Sequence, residues 1–310
     1  MKRIIKIGTR ESPLAMWQAN TVASLLESLG QKVSIVPITS SGDIELTQPL
    51  YEMGITGIFT KNLDLALLEG RIDLAVHSMK DVPTKLPNGL MQMAVLERAA
   101  YEDVLITPPN KPFPKDTTVS MTIATGSLRR KAQWLHKYPN HHIVNLRGNV
   151  NTRLRKLSEN PWQGAIFAKA GLQRIELLAD KHQVLHWMLP APAQGIVMVA
   201  GRKDDKELIE LTAQINNREA AVAAHIERSF LQTLEGGCTA PIGALAKQQG
   251  DAIHFEGALF SLDGKQKITH TLKASLQDFQ DLGIQAAKEI RDKGGVSLLK
   301  EIEAQLKKNE

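Results

Sequence analysis

Short apolar runs alternating with amphipathic stretches over about the first ninety residues constrain the fold of this chain more than any other feature. RIIKIGT reads as a strand. Ser12 and Pro13 then place an N-cap and an N1 proline ahead of the helix LAMWQANTVASLLESLG, which stops at Gly30. KVSIVPI is the next strand. Thr60 is placed to cap the helix KNLDLALLEG, and IDLAVHSM is an apolar strand running into the loop Lys80-Asp81-Val82-Pro83. Such alternation predicts a mainly parallel sheet with helices on both faces, and ligand sites at the C-terminal ends of its strands.

A second unit of similar design follows the proline-rich stretch Pro108 to Pro114. TVSMTIATG, HIVNL and GAIFAKAG read as strands, LRRKAQWLHKY behind Ser127 and NVNTRLRKLSE as helices. Both halves carry a strand, a small polar turn with an arginine, and a helix: Gly8-Thr9-Arg10-Glu11-Ser12 in one, Thr125-Gly126-Ser127-Leu128-Arg129 in the other. A helix start offers free N–H groups and a positive dipole end, so such turns suit an anionic ligand. Ordinary capping accounts for the serines but not for the arginines beside them. From Leu189, LPAPAQGIVMVAGR is a link into an apolar strand that returns to the first sheet. A third region starts near Arg218 with the helix REAAVAAHIERSFLQTLE, ending at Gly236-Gly237; hairpin signals at Gln249-Gly250-Asp251 and Asp263-Gly264 and two amphipathic helices follow. No internal repeat is evident.

Charge narrows the ligand. The chain is +5 over 310 residues, but positions 121–175 hold ten cations against Glu159 alone, so this window is +9 and the remainder −4. Six of the fourteen arginines lie in it, and arginine presents a planar fork suited to carboxylate or phosphate. Nucleic acid is the weaker option, because aromatics are 5% of the chain and no recognition module is evident. A small polyanion fits better. The N-terminus lacks a signal peptide's apolar region and no run is long enough to span a bilayer, which reads as a cytoplasmic protein.

The single cysteine, Cys238, excludes an internal disulfide and any multi-cysteine metal site, and the histidines, including His141-His142, form no metal-ligand pattern. Cys238 sits in a glycine-rich turn between a helix and a strand. It is either a buried apolar filler or a used thiol, and a cysteine hydrolase with His77 as base is one such use. His77 itself, within an apolar strand, reads as a satisfied core histidine. Asp81 is either a turn-former or a carboxylate placed to stabilise a developing cation.

Six segments in order carry a resemblance: Thr9-Arg10-Glu11-Ser12-Pro13-Leu14-Ala15, Ala75 to Pro83, Ser127-Leu128-Arg129-Arg130, Leu146 to Leu154, Ala170-Gly171-Leu172 and Leu234-Glu235-Gly236-Gly237-Cys238. Together they resemble the porphobilinogen deaminase (hydroxymethylbilane synthase) family. The resemblance implies an α/β fold of two periplasmic-binding-protein-like lobes around a cleft plus a smaller α+β C-terminal domain, divided as 1–96 with 196–214, 99–192 and 218–310. It implies one dipyrromethane cofactor per chain, attached to Cys238 by a thioether. Four porphobilinogen molecules are deaminated and joined to that primer, and the linear tetrapyrrole is released by hydrolysis. Asp81 is then the catalytic residue. Lys80, Thr125, Ser127, Arg129, Arg130, Arg153 and Gly171 bind cofactor; Arg10, Ser12, Arg147, Arg174 and Gln194 bind substrate.

The chemistry is consistent with the charge: each pyrrole brings an acetate and a propionate, and a charge-assisted contact to one is worth roughly 1.5–3 kcal/mol. Arg155 matches no family position and reads as a solvated face. No metal, nucleic acid or membrane is expected, and the chain reads as a monomer. The sequence departs from the family's commoner pattern at Gly54-Ile55-Thr56-Gly57-Ile58-Phe59, which lacks a lysine, at Gly126 in place of a serine and at Ala193 in place of a glycine. The competing reading of the residues is a non-enzymatic, two-lobed protein that binds a small anion.

Overall fold

The computed structural model describes residues 3–39, 60–111, 113, 119–234 and 240–308. Cys238 and the segment Gly54 to Phe59, with its Thr56 departure, lie outside the described residues. In chain order the elements are β1 (Ile4–Thr9), α1 (Pro13–Ser28), β2 (Lys32–Pro37), α2 (Lys61–Leu68), β3 (Leu74–Ser78), a 3-10 turn (Met79–Asp81), β4 (Leu90–Val95) and β5 (Asp103–Ile106). Then come β6 (Thr122–Ala124), α3 (Leu128–Lys137), β7 (His142–Val144), α4 (Val150–Glu159), β8 (Gly164–Ala168), α5 (Lys169–Arg174) and β9 (His182–Val184). The chain ends with β10 (Val197–Arg202), α6 (Lys206–Ala213), α7 (Arg218–Leu234), β11 (Ile242–Gln249), β12 (Ala252–Phe260), β13 (Lys267–Ser275), α8 (Leu282–Ile290) and α9 (Val296–Lys307). No helix among the described residues is long and apolar enough to cross a membrane.

These elements form two compact units, residues 3–39, 60–99 and 195–222 in one and 100–194 with 223–308 in the other. In the first, five strands run β2-β1-β3-β10-β4, all parallel except β10, which pairs antiparallel with both β3 and β4. The apolar link after Leu189 therefore does return to the first sheet, as its sequence predicts. Helix α1 begins as expected: Pro13 is its first residue, and Ser12 Oγ accepts from Ala15 N at 3.4 Å. It buries Ala19, Val22, Ala23 and Leu26, spaced to one face, against Ile5, Ile7, Leu74, Val76 and Val199 of the sheet. Thr60 departs from expectation. It stands before α2 but makes no capping bond; its hydroxyl bonds the side chain of Asp64, whose carboxyl burial pushes up.

The second unit holds a five-stranded sheet in the order β7-β6-β8-β5-β9, with β5 antiparallel to β8 and β9, and a three-stranded antiparallel sheet, β11-β12-β13. Helix α3 serves both. Trp134 and Tyr138 pack with Leu105, Ile123 and Ile166 of the larger sheet, while Ala132 packs with Leu245, Ala258 and Phe260 of the smaller. The α/β class and the small C-terminal sheet with helices are as the sequence implies. The 3-10 turn at Lys80-Asp81 and the helix α5 replace what reads as loop and strand end.

Candidate active site

In the first unit, two strand ends meet. Arg10 follows β1, and its turn is held by Thr9, a fully buried residue whose hydroxyl donates to the carbonyl of Ala15 at 3.0 Å. β3 ends at Ser78, whose Oγ accepts from Gln18 Nε2 of α1 at 2.8 Å. The chain then turns through Met79–Asp81, with Met79 N bonded to Ile196 O at 3.0 Å and Val82 N closing on Met79 O at 3.1 Å. Lys80 is half-buried and Asp81 exposed. Arg10, Ser12, Gln18, His77, Ser78 and Asp81 line one pocket, so the structure brings together the Arg10, Ser12 and Asp81 of the sequence reading and adds Gln18 and Ser78.

His77 is 6% exposed. Burial first, and the positive charge of Arg10 second, lower its pKa to about 4, so the ring is neutral near pH 7. It lies in the core as expected, but its buried Nε2 has no hydrogen-bond partner among the described residues. A base with a pKa near 4 is poorly matched to thiol activation at neutral pH, which counts against the hydrolase reading.

In the second unit, Thr125 follows β6, and its Oγ1 accepts from Ser127 N at 3.2 Å; Ser127 in turn caps α3, accepting from Arg130 N at 3.4 Å. Gly126 between them is required by its surroundings, since a Cβ there would stand 2.7 Å from the carbonyl oxygen of Leu146. Arg129 and Arg130 are both 5% exposed and converge on Asp103, which is fully buried. Arg129 Nη1 donates to Asp103 Oδ2 at 2.7 Å and to Leu189 O at 2.7 Å. Arg130 donates to Asp103 Oδ1 from Nε at 3.1 Å and from Nη2 at 2.8 Å, and from Nη1 to Ile166 O at 3.0 Å. Gln194, 1% exposed, gives Nε2 to Asp103 Oδ1 at 2.9 Å and to Tyr101 O at 2.7 Å. Burial lowers the Arg129 pKa, with Arg130 adding and Asp103 opposing.

The remaining arginines occupy the same unit. Arg147 is buried in the loop after β7. Arg153 in α4 donates from Nε to Gly148 O at 2.7 Å. Arg174 closes α5, where burial lowers its pKa to about 10; Gly171 is buried in the same helix. Arg155 is exposed and pairs with Glu159 one turn on at 3.0 Å, the solvated face its sequence suggests. Cys238 follows α7 in the chain, between the described Leu234 and Ala240. Asp103 is the residue that sequence reasoning missed. Its only signal is an acid in the otherwise apolar run DVLI.

Among the described residues the buried cluster holds two guanidinium groups and one carboxylate, a surplus of one positive charge. A surplus positive charge at the start of α3 fits a ligand carboxylate. Each unit thus holds an α/β layer with arginine at a strand-to-helix turn, an arrangement suited to a small carboxylated ligand. Residues 5–210 match the family model for the porphobilinogen deaminase dipyromethane cofactor binding domain, and residues 221–292 that for the porphobilinogen deaminase C-terminal domain. The chain belongs to the porphobilinogen deaminase family.

The porphobilinogen deaminase of Syntrophomonas wolfei is 41% identical over 302 residues, 96% of this chain and 98% of its own. That of Pelotomaculum thermopropionicum is 42% identical over 304 residues, 97% of each chain. A solved periplasmic VFT2 domain of Bordetella pertussis BvgS aligns at a TM-score of 0.42 and 14% identity, over 70% of this chain and 90% of that one.

Proposed function

We propose that this chain is a hydroxymethylbilane synthase (EC 2.5.1.61), a transferase that deaminates four porphobilinogen molecules and joins them head to tail on a dipyrromethane held by Cys238. The observation that carries this reading is the pocket in which Asp81 and Arg10 meet at the ends of β3 and β1. The bound dipyrromethane supplies the pyrrole carbon to which the first substrate is joined.

The residues of this chain do the rest. Arg10, with Ser12 at the positive end of α1, holds a substrate carboxylate, a contact worth roughly 1.5–3 kcal/mol. Asp81 faces the substrate's aminomethyl carbon and stabilises the cation that develops as the C–N bond breaks and ammonia leaves; the same carboxylate accepts the pyrrole N–H. His77, neutral at pH 7, adds no positive charge against that cation. Lys80, Thr125, Ser127, Arg129, Arg153 and Gly171 would contact the cofactor, with Arg130 adding positive charge behind Arg129; Arg147 and Arg174 would serve the growing chain, with Gln194 beside them in the buried cluster. The protein works as a cytoplasmic monomer of three domains, with no nucleic-acid partner.

Asp81→Ala should fold, retain its covalent group and lose turnover by about a thousandfold or more; near-normal tetrapyrrole output from that variant would remove Asp81 from the mechanism. The intact mass of the purified chain should exceed the sequence mass by two porphobilinogen units less two ammonias. A chain of bare sequence mass that releases no ammonia from porphobilinogen would return the non-enzymatic anion binder to the lead.

A further inference from the structure

Asp103 is a heavily bonded carboxylate with no part in the chemistry above. It opens β5, is fully buried, and accepts from four side-chain nitrogens: Nη1 of Arg129, Nε and Nη2 of Arg130, and Nε2 of Gln194. Burying an ion cluster is costly, and hydrophobic side chains of the same volume often stabilise a fold as well or better. Fold stability alone therefore does not explain why two guanidiniums and a carboxylate are enclosed here.

The division of donors is more informative. Arg130 commits all three nitrogens, its Nε/Nη2 fork to Asp103 and Nη1 to Ile166 O. Arg129 commits only Nη1, clamped between Asp103 Oδ2 and Leu189 O. Its own Nε/Nη2 fork makes no hydrogen bond among the described residues. That fork is the edge that grips a carboxylate through two parallel bonds, and the cluster carries a surplus of one positive charge among the described residues.

We propose that Asp103 is a positioning residue: by clamping Arg129 through Nη1 and turning Arg130 inward, it presents the Nε/Nη2 fork of Arg129 to one ligand carboxylate. Arg130 supplies charge and rigidity from behind. This rests on the reading above that ligand carboxylates bind at the start of α3. Gln194 belongs to the same support, its amide donating to the Asp103 Oδ1 that Arg130 also holds.

The test is Asp103→Asn in the full chain, purified as the holoprotein, with intact mass, thermal midpoint and steady-state kinetics on porphobilinogen measured beside wild type. A merely structural aspartate lowers the midpoint and leaves each folded molecule normally loaded. The proposal expects the fraction carrying the added mass to fall, and KM of the loaded fraction to rise about tenfold or more with kcat changed far less. An Asp103→Asn protein loaded to the wild-type fraction with an unchanged KM overturns it.

Should the Asp103→Asn variant not fold, Arg129→Lys and Arg130→Lys decide instead. Lysine keeps the charge and a donor but has no fork. Arg129→Lys should keep a near-wild-type midpoint and lose loading, while Arg130→Lys should lose midpoint and keep more of its loading per folded molecule. The reverse order overturns the proposal. A wild-type chain without the added mass would instead overturn the functional reading and this inference with it.

Discussion

His77 is neutral because its surroundings make it so, and that has a measurable cost in acid. Its folded pKa is about 4 against an ordinary 6.5. Between these values the unfolded chain binds a proton that the folded chain refuses, so stability falls as pH drops through this window and is fully present only above about 6.5. The contribution lost between pH 7 and pH 4.5 is roughly 2–3 kcal/mol. His77→Gln should flatten the pH dependence of the urea midpoint by about that amount; an unchanged slope would show that the ring is protonated in the fold.

Ala193 raises a smaller question at the same scale. It is fully buried at φ +62°, a backbone conformation that glycine adopts without strain. A left-handed alanine costs roughly 1–2 kcal/mol. Reverting to glycine would return that but lose about 0.8 kcal/mol of methyl burial and add roughly 0.4–1 kcal/mol of unfolded-state entropy. The effects nearly cancel, so Ala193→Gly should move the urea midpoint by less than about 1 kcal/mol, and a larger shift of either sign would mean the turn is held differently. The sequence could name Arg10, Ser12 and Asp81 because each sits at a strand end with a local signature. It could not name Asp103, whose partners lie 26, 27 and 91 residues away.

Elements read well wherever a cap or a turn residue marked them. Ser12 and Ser127 start α1 and α3, Gly30 stops α1 with its N–H on Glu27 O at 2.8 Å, and both predicted hairpins of the small sheet form. Short buried strands such as β5, whose four residues are all enclosed, have no alternation to betray them. Docking between elements was invisible for a further reason. The Asp263-Gly264 turn is legible as a hairpin, but its target is not: the carbonyl of Gly264 bonds His136 Nδ1 at 2.7 Å, at the far end of the helix that carries Arg129 and Arg130. A Cβ on Gly264 would lie 2.4 Å from Ala132 O and 2.6 Å from His136 N, and its φ is +74°. Gly264→Ala therefore combines left-handed strain with a backbone collision and should destabilise the chain by about 2–4 kcal/mol, read as a drop in the urea midpoint. Near-wild-type stability would mean that the hairpin does not sit on α3.

At the scale of the whole chain, two sheets share one plan that no sequence repeat announces. In each, three consecutive strands stand with the middle one outermost (β2-β1-β3 and β7-β6-β8), followed by an antiparallel strand and then an edge strand parallel to those three. The difference is where the antiparallel strand originates. In the second unit β5 to β9 all lie within 103–184, whereas the first unit takes β10 from residues 197–202, after the whole of the other sheet. β10 is the only sheet partner of β4 among the described strands, and it inserts Val197 and Val199 into the core beside Val76 and Ala94.

A fragment of residues 1–99 would thus leave β3 with an open edge and β4 with no strand to pair with, exposing apolar faces that association would cover. It should show no cooperative unfolding transition by circular dichroism. Ala99 N bonds Gly195 O at 3.1 Å, so fusing 1–99 to 195–222 through two or three glycines requires almost no span and should restore the transition. A cooperative transition in the 1–99 fragment alone would mean that the returning strand completes a sheet already able to stand without it.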